Sequence, residues 1–528
     1  MSRTILIGEP RDVALRVPRI QRRAFLRGLA ASGVVGAALP GLLACTPTTS
    51  AFPDGVKCGD PRPYEGRIWT RVPAPADSAP VAVTWMVSED ADFGAIVAGG
   101  VAHALAENGH TLKIEVPDLR SDRWYFYRFE SAAGQSAVGR MRTAPPRGSH
   151  PDRLRYAFAS CQQRSAYYVA HRSIAQEDID FMMHLGDYIY ANDTHTRSLD
   201  DYRKRYQLFH SDPDLQALQA HVPLVAMWDD GEFWNGVDHL SDPPRLAAAE
   251  RAFTEYMPIP SPASGRIFRG FEWGRLAEVF MIDSRSERDP AVPPTGNFFD
   301  AFNTHSTQEP GGRDIFDPDR TALGDIQRQW LKRRLAASRG AWKMIGNPYQ
   351  ITPWKIVDFD LPGTRPVDDP NFEPNAGIYI DGDGWDMFQA ERRELLEHIE
   401  QQQVENVVFT SGHTHIYLTS ELHIDFDDPA SVPVAADFVT GSLTADPDPL
   451  ELAPLPVLHF VENLMLKANE PYMKHVDIVG QGYALVDLTP DELIVEYKTL
   501  DTLVPDSVAT TKARFRMVSG SSSVERLL

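Results

Sequence analysis

Three cysteines, Cys45, Cys58 and Cys161, are all that 528 residues contain. That is too few for a disulfide framework, so the fold must rest on its apolar cores. Beyond residue 44 no stretch offers ~18 uninterrupted apolar residues, and no spanning helix is expected in the body of the chain. Basic charge is also scarce: 52 Lys and Arg stand against 73 Asp and Glu, a net of −21. Seven of those arginines (Arg3, Arg11, Arg16, Arg19, Arg22, Arg23, Arg27) fall within residues 1–44, where only Glu9 and Asp12 oppose them. The remainder is therefore more acidic than the total suggests. Such a surface repels nucleic acid and anionic lipid, which are bound by Lys and Arg displacing counterions. No nucleic-acid partner is expected. A small phosphorylated substrate fits only if the site supplies cations of its own.

What is present begins with an address. Arg22-Arg23, followed by Phe25-Leu26, precedes a run of small and apolar residues from Gly28 to Ala44. Pro40 and the many Gly and Ala make that run a poor permanent span. The pattern resembles a twin-arginine signal, so residues 1–44 are read as an export segment that engages the twin-arginine machinery; a core or anchor helix is the alternative. Leu42-Leu43-Ala44-Cys45 also resembles a lipobox, with Cys45 lipidated after cleavage; ordinary cleavage nearby with an incidental cysteine is the other reading. Residues 46–55 read as a linker. The expected location is periplasmic, secreted or lipid-anchored at the surface.

The length favours two domains. Over 56–146, segments such as VAVTWMVSE and RWYFYRFE are rich in β-branched and aromatic residues and are separated by Gly, Asp, Asn and Pro. That spacing predicts a small immunoglobulin- or fibronectin-like β-sandwich. Over 152–515 the pattern changes: apolar strands (RYAFAS, DFMMHLGD, PLVAMWDD, LAEVFMIDS, WKMIGNP, NVVFTSG) alternate with amphipathic helices such as DIQRQWLKRRLAAS. This predicts a helix-flanked α/β layered domain, with chemistry at the carboxyl ends of the strands. The polar, Pro/Gly-rich intervals 289–320 and 356–384 read as long surface loops, and 516–528 as a tail.

Four strand ends carry potential ligands: Cys161 after YAFAS, Asp187 and Tyr190 after FMMHL, Asp229-Asp230 with Asn235 after LVAMW, and His413 and His415 after VVFTS. Taken singly, Asp187 reads as a turn or cap residue, Cys161 as a small buried hydrophobe, Asp229-Asp230 as a helix cap, and His413 with His415 either as ligands or as a structural pair. Together they suit a pair of cations ~3.5–4 Å apart, which can activate water and offset phosphate charge. A carboxylate such as Asp187 can bridge two ions, and a thiolate with a phenolate suits a trivalent or soft metal.

SCQQ, LGDYIYA, WDDGE, DSRSER, WKMIGNPYQ, DGWDMFQAERRELL, TSGHTH and ADFVTGSLTA follow in order the landmarks of the PhoD-like branch of the calcineurin-like metallophosphoesterases, which this chain resembles from about residue 52 to about 500. The resemblance implies two packed sheets flanked by helices behind an Ig-like cap. It also implies a secreted phosphoesterase acting on phosphomonoesters or phosphodiesters, with ferric iron beside calcium or another divalent ion. Cys161, Asp187, Tyr190 and most simply His415 would hold the iron. Asp230, His413 and Asn235 would hold the second metal, and Asp230 joins Arg285 and Trp385 in the catalytic group.

Three positions depart from that pattern. Gly231 stands where the family ordinarily has histidine, His413 where it has aspartate, and Gln481 where it has histidine. The first removes a group that elsewhere protonates the leaving group or steadies the transition state. His184 and His239 are the nearby candidates to replace it. Two other functional classes stay open on sequence alone: a silent metal- or phospho-ligand-binding lipoprotein, and a metal-assisted hydrolase of changed substrate such as a phospholipase. The oligomeric state is not readable.

Overall fold

The computed structural model describes residues 51–75, 78–261, 264–291, 315–358, 377–379, 383–426, 428, 430–444 and 454–528. The export segment, Cys45, the first half of the linker and the greater part of the two long loops expected at 289–320 and 356–384 lie outside the described residues. Among the described residues no helix is long and apolar enough to cross a membrane.

Two sheets face each other. At the centre of a ten-stranded sheet, Leu154–Ala159, Phe181–His184 and Leu224–Ala226 run parallel, with Phe181 opposite Tyr156 and Met182 opposite Leu224. A seven-stranded sheet has a parallel centre of Ala277–Met281, Trp342–Tyr349, Val407–Gly412 and Pro433–Val439. Successive side chains of a strand point to opposite faces. Thus Tyr156 and Phe158 enter the core between the sheets, while Ala157 and Ala159 face a smaller core with the helices Val169–Ile174 and Pro213–His221. Likewise Val279, Met344 and Val408 point inward against Phe158, Met183 and Val225. Phe280, Ile345 and Phe409 point outward against Leu331, Leu335, Leu395 and Ile399 of the helices Gly324–Ala337 and Gln389–Gln401. Burial on both faces is why these strands read as unbroken apolar runs. The layers are helix, sheet, sheet, helix, preceded by a β domain.

Two boundaries differ from the sequence expectation. The β domain has a core of its own, with Trp85, Phe129, Ile68 and Ile114, but one of its sheets is not separate. Val56–Gly59, Gly66–Arg71 and Thr111–Val116 extend the ten-stranded sheet, with Gly59 opposite Leu224. Alternation reveals a strand's buried face but not its edge partner. The stretch 516–528 is not a tail. Thr510–Val518 is a sheet strand, Glu525–Arg526 pairs back onto it, and the Val524 N–H donates to Glu421 at 2.8 Å. Its Ser/Gly-rich composition marks the turn of a hairpin.

Candidate metal centre

Strand ends from both sheets converge. Cys161 follows Leu154–Ala159, Asp187 follows Phe181–His184, Asp229 and Asp230 follow Leu224–Ala226, and His413 and His415 follow Val407–Gly412. A bridge between Ser160 and Ser442 ties the sheets together at this end. The chain turns sharply there: Cys161, Asp187, His413 and His415 have φ of 61°, 54°, 74° and 60°. Left-handed backbone at four non-glycine residues is costly and gathers where a site dictates side-chain direction.

Ligand atoms of Cys161, Asp187 and His415 lie within 4.8 Å of one another, and so do those of Asp187, Asp229, Asp230 and His413. Asp187 belongs to both groups. The Tyr190 hydroxyl is 3.2 Å from His415 Nε2, which places it beside the first set. Asn235 is not brought in. It is exposed, and its backbone N–H donates to Asn192 Oδ1 at 3.0 Å. The loop turns outward after Trp234, so proximity in sequence to Asp230 does not carry it to the centre.

The electrostatics suit cations. Burial pushes the Cys161 thiol, the Asp187 carboxyl and the Tyr190 phenol up, and neighbouring acids add to it: Asp187 for the first and third, Asp229 for Asp187. Asp230 is raised well above the carboxylate range by burial, against Arg285 and with Asp187 and Asp229. Several anionic donors made reluctant to ionise by the same small, dry volume are a set that a positive ion would relieve. The thiol, phenol, carboxylate and imidazole of the first set and the carboxylates and imidazole of the second fit the two ions expected.

Of the two readings of Asp229, potential ligand and helix cap, the second does not hold, because no helix begins there. Its Oδ1 accepts from Arg285 Nε at 2.5 Å and its Oδ2 lies 2.7 Å from His413 Nδ1. Pinning Nδ1 leaves Nε2 of His413 to serve as a ligand. Burial opposes a proton on His413, but Asp229 and Asp230 outweigh it and raise its pKa well above the ordinary value. Glu232 ties the loops together, accepting from the N–H groups of Asp187 at 3.0 Å, Tyr188 at 2.6 Å and Asp229 at 2.9 Å. The only trace of either role in the sequence is that both residues fall within WDDGE.

Arg285 is fully buried beside the second set and stacks 4.7 Å over the Tyr349 ring. Trp385 is buried behind it, and its Nε1 donates to Asn347 Oδ1 at 3.3 Å. Neither proposed substitute for the missing histidine reaches the site. His184 is buried on the opposite face of its strand, in a cavity with His171 and Gln219, where burial drives its pKa down to about 3. His239 is exposed and bonded to the Arg288 carbonyl at 2.6 Å. Gly231 instead brings its backbone close: its N–H donates to Asp187 Oδ1 at 2.8 Å.

Known proteins resemble this chain over most of its length. The chain is 29% identical to alkaline phosphatase D of Bacillus subtilis (strain 168) over 509 residues, covering 89% of this chain and 81% of that one. A solved structure described as that of PhoD superposes with a TM-score of 0.79 at 27% identity, covering 92% of this chain and 94% of the other. The family model for the PhoD-like phosphatase N-terminal domain matches residues 38–145, and that for PhoD-like phosphatase matches 156–497. With more than half its length in the second match, the chain belongs to the PhoD-like phosphatase family.

Proposed function

We propose that this chain is an exported phosphoesterase that hydrolyses phosphomonoesters and phosphodiesters with ferric iron and calcium, or another divalent ion, in its centre. The observation that carries the reading is Asp187, the one carboxylate common to two ligand sets that stand against a buried arginine. Cys161, Asp187, Tyr190 and His415 would hold the iron, and Asp187, Asp230 and His413 the divalent ion. When bound, such a pair supplies an activated water and neutralises phosphoryl charge. The chain's own residues do the rest. Asp229 orients Arg285 and His413 through its two oxygens. Arg285 offers hydrogen-bond donors to a phosphoryl oxygen, most strongly as the charge grows in the transition state. Glu232 holds the Asp187 and Asp229 loops at a fixed separation. No histidine at 231 protonates the leaving group, so esters with good leaving groups should react fastest.

Residues 1–44 are proposed to direct twin-arginine export, with Cys45 either lipidated or lost with the signal; the mass of the exported N-terminus distinguishes these. The enzymatic reading is tested by purifying the chain without chelator and assaying p-nitrophenyl phosphate and its bis ester. Chelator-sensitive release of p-nitrophenol, with a visible tyrosinate–iron band lost in Tyr190→Phe, supports it. Bound metal with no turnover of either ester would favour the silent binder or a changed substrate.

A further inference from the structure

Two of the three guanidinium nitrogens of Arg285 are already occupied. Nε donates to Asp229 Oδ1 at 2.5 Å and Nη1 to Asp383 Oδ2 at 2.6 Å. Nη2 makes no hydrogen bond among the described residues and stands 3.9 Å from Asp230 Oδ2. Arg288 is also fully buried and pairs with the other oxygen of Asp383, while its guanidinium lies 5.7 Å from the Phe388 ring. Asp383 therefore sits between two arginines with each oxygen engaged. Its Oδ2 is also 3.7 Å from His413 Nε2, the nitrogen left to face the metal centre. A guanidinium on each oxygen favours the carboxylate form of Asp383.

A guanidinium grips a phosphate best as a fork of two parallel N–H groups. With Nε on Asp229 and Nη1 on Asp383, Arg285 keeps one buried nitrogen, Nη2, without a hydrogen bond among the described residues, and the Asp383 carboxylate stands beside it. A diester brings one negative charge and two non-bridging oxygens. A monoester at alkaline pH brings two charges and three such oxygens, so its extra oxygen and charge are what Asp383 opposes.

We propose that Asp383 determines the charge class of the substrate, favouring monoanionic phosphodiesters over dianionic phosphomonoesters by occupying Arg285 Nη1 and Arg288 and by presenting a like charge to the second charge of a monoester. This rests on the phosphoesterase reading above. Two like charges about 5 Å apart at the effective dielectric of a buried site change relative affinity by at least about tenfold.

The test is Asp383→Asn in the metal-loaded full chain. kcat/KM is compared for p-nitrophenyl phosphate and bis(p-nitrophenyl) phosphate, and binding for inorganic phosphate and dimethyl phosphate by calorimetry. The expected result is a monoester-to-diester ratio raised about tenfold or more, tighter phosphate binding, and dimethyl phosphate little changed. A residue that only supported the loop would depress both esters in proportion, and an unchanged ratio, or one shifted toward the diester, overturns the proposal. Should the asparagine variant fail to fold, Asp383→Ser removes the same charge and leaves room for water beside both guanidiniums. If the wild-type chain turns over neither ester, the phosphoesterase reading fails. The calorimetry then decides this inference alone: tighter phosphate binding in the variant supports it, and equal binding overturns it.

Discussion

Installing a histidine at position 231 should weaken this enzyme rather than improve it. A Cβ at 231 would lie 2.5 Å from Asp187 Oδ1, 2.7 Å from the Ile189 carbonyl oxygen and 3.0 Å from Asp187 Cγ. The carboxylate can rotate, but the carbonyl belongs to the backbone of the loop that carries Tyr190. Ordinary contact distances require about 0.5–1 Å of movement in a close-packed interior, at about 1–3 kcal/mol. The group that moves is the ligand shared by both metal sets. Displacing a reacting constellation by about 1 Å lowers rate by about 100-fold. Gly231→Ala isolates this steric effect and Gly231→His adds the imidazole; both should lose metal and fall about 10- to 100-fold in kcat on p-nitrophenyl phosphate. Metal content and thermal melting are measured on the same samples. A histidine variant with full metal and a rate equal to or above wild type would refute the steric argument.

Further outcomes follow from other parts of the structure. Arg285→Lys should reduce kcat/KM by about 100-fold, because an ammonium cannot hold Asp229 and Asp383 together and still present a donor to phosphate; steady-state kinetics measures it. Chelation should abolish phosphate release and lower the melting temperature, since it leaves Asp187, Asp229 and Asp230 facing one another without a cation; adding iron and calcium back should restore both. The His184 pKa falls from 6.5 to about 3 on folding through burial. Between those values the unfolded state binds more protons, so stability falls as pH falls, by up to about 1.4 kcal/mol per pH unit from this group. His184→Leu should flatten that slope in acid denaturation without destabilising the protein at neutral pH, because neither ring nitrogen has a hydrogen-bond partner among the described residues.

The ligands at strand ends were legible because a strand buried on both faces reads as an apolar run, and the first polar residue after it marks the sheet's carboxyl edge. Cys161, Asp187, Asp230, His413 and His415 were found this way, and the geometry gathers them. Asn235 shows the limit: five residues past Asp230, the loop has already turned to the surface. The roles of Asp229, Glu232 and Asp383 were not legible, because each acts across the fold on a residue at least 44 positions away. Their motifs were visible; their partners were not. The extension of the catalytic sheet by Val56–Gly59 was hidden for the same reason, since an edge pairing leaves no local pattern.

The claim that two ions share Asp187 is tested most directly by elemental analysis of the purified chain beside Asp187→Asn, with melting curves to confirm that both are folded. A shared ligand predicts two or more ions per chain in the first, and loss from both ligand sets together in the second. A variant that keeps one full equivalent of metal while losing another, or a folded wild-type chain that binds no metal when iron and calcium are supplied, would contradict it.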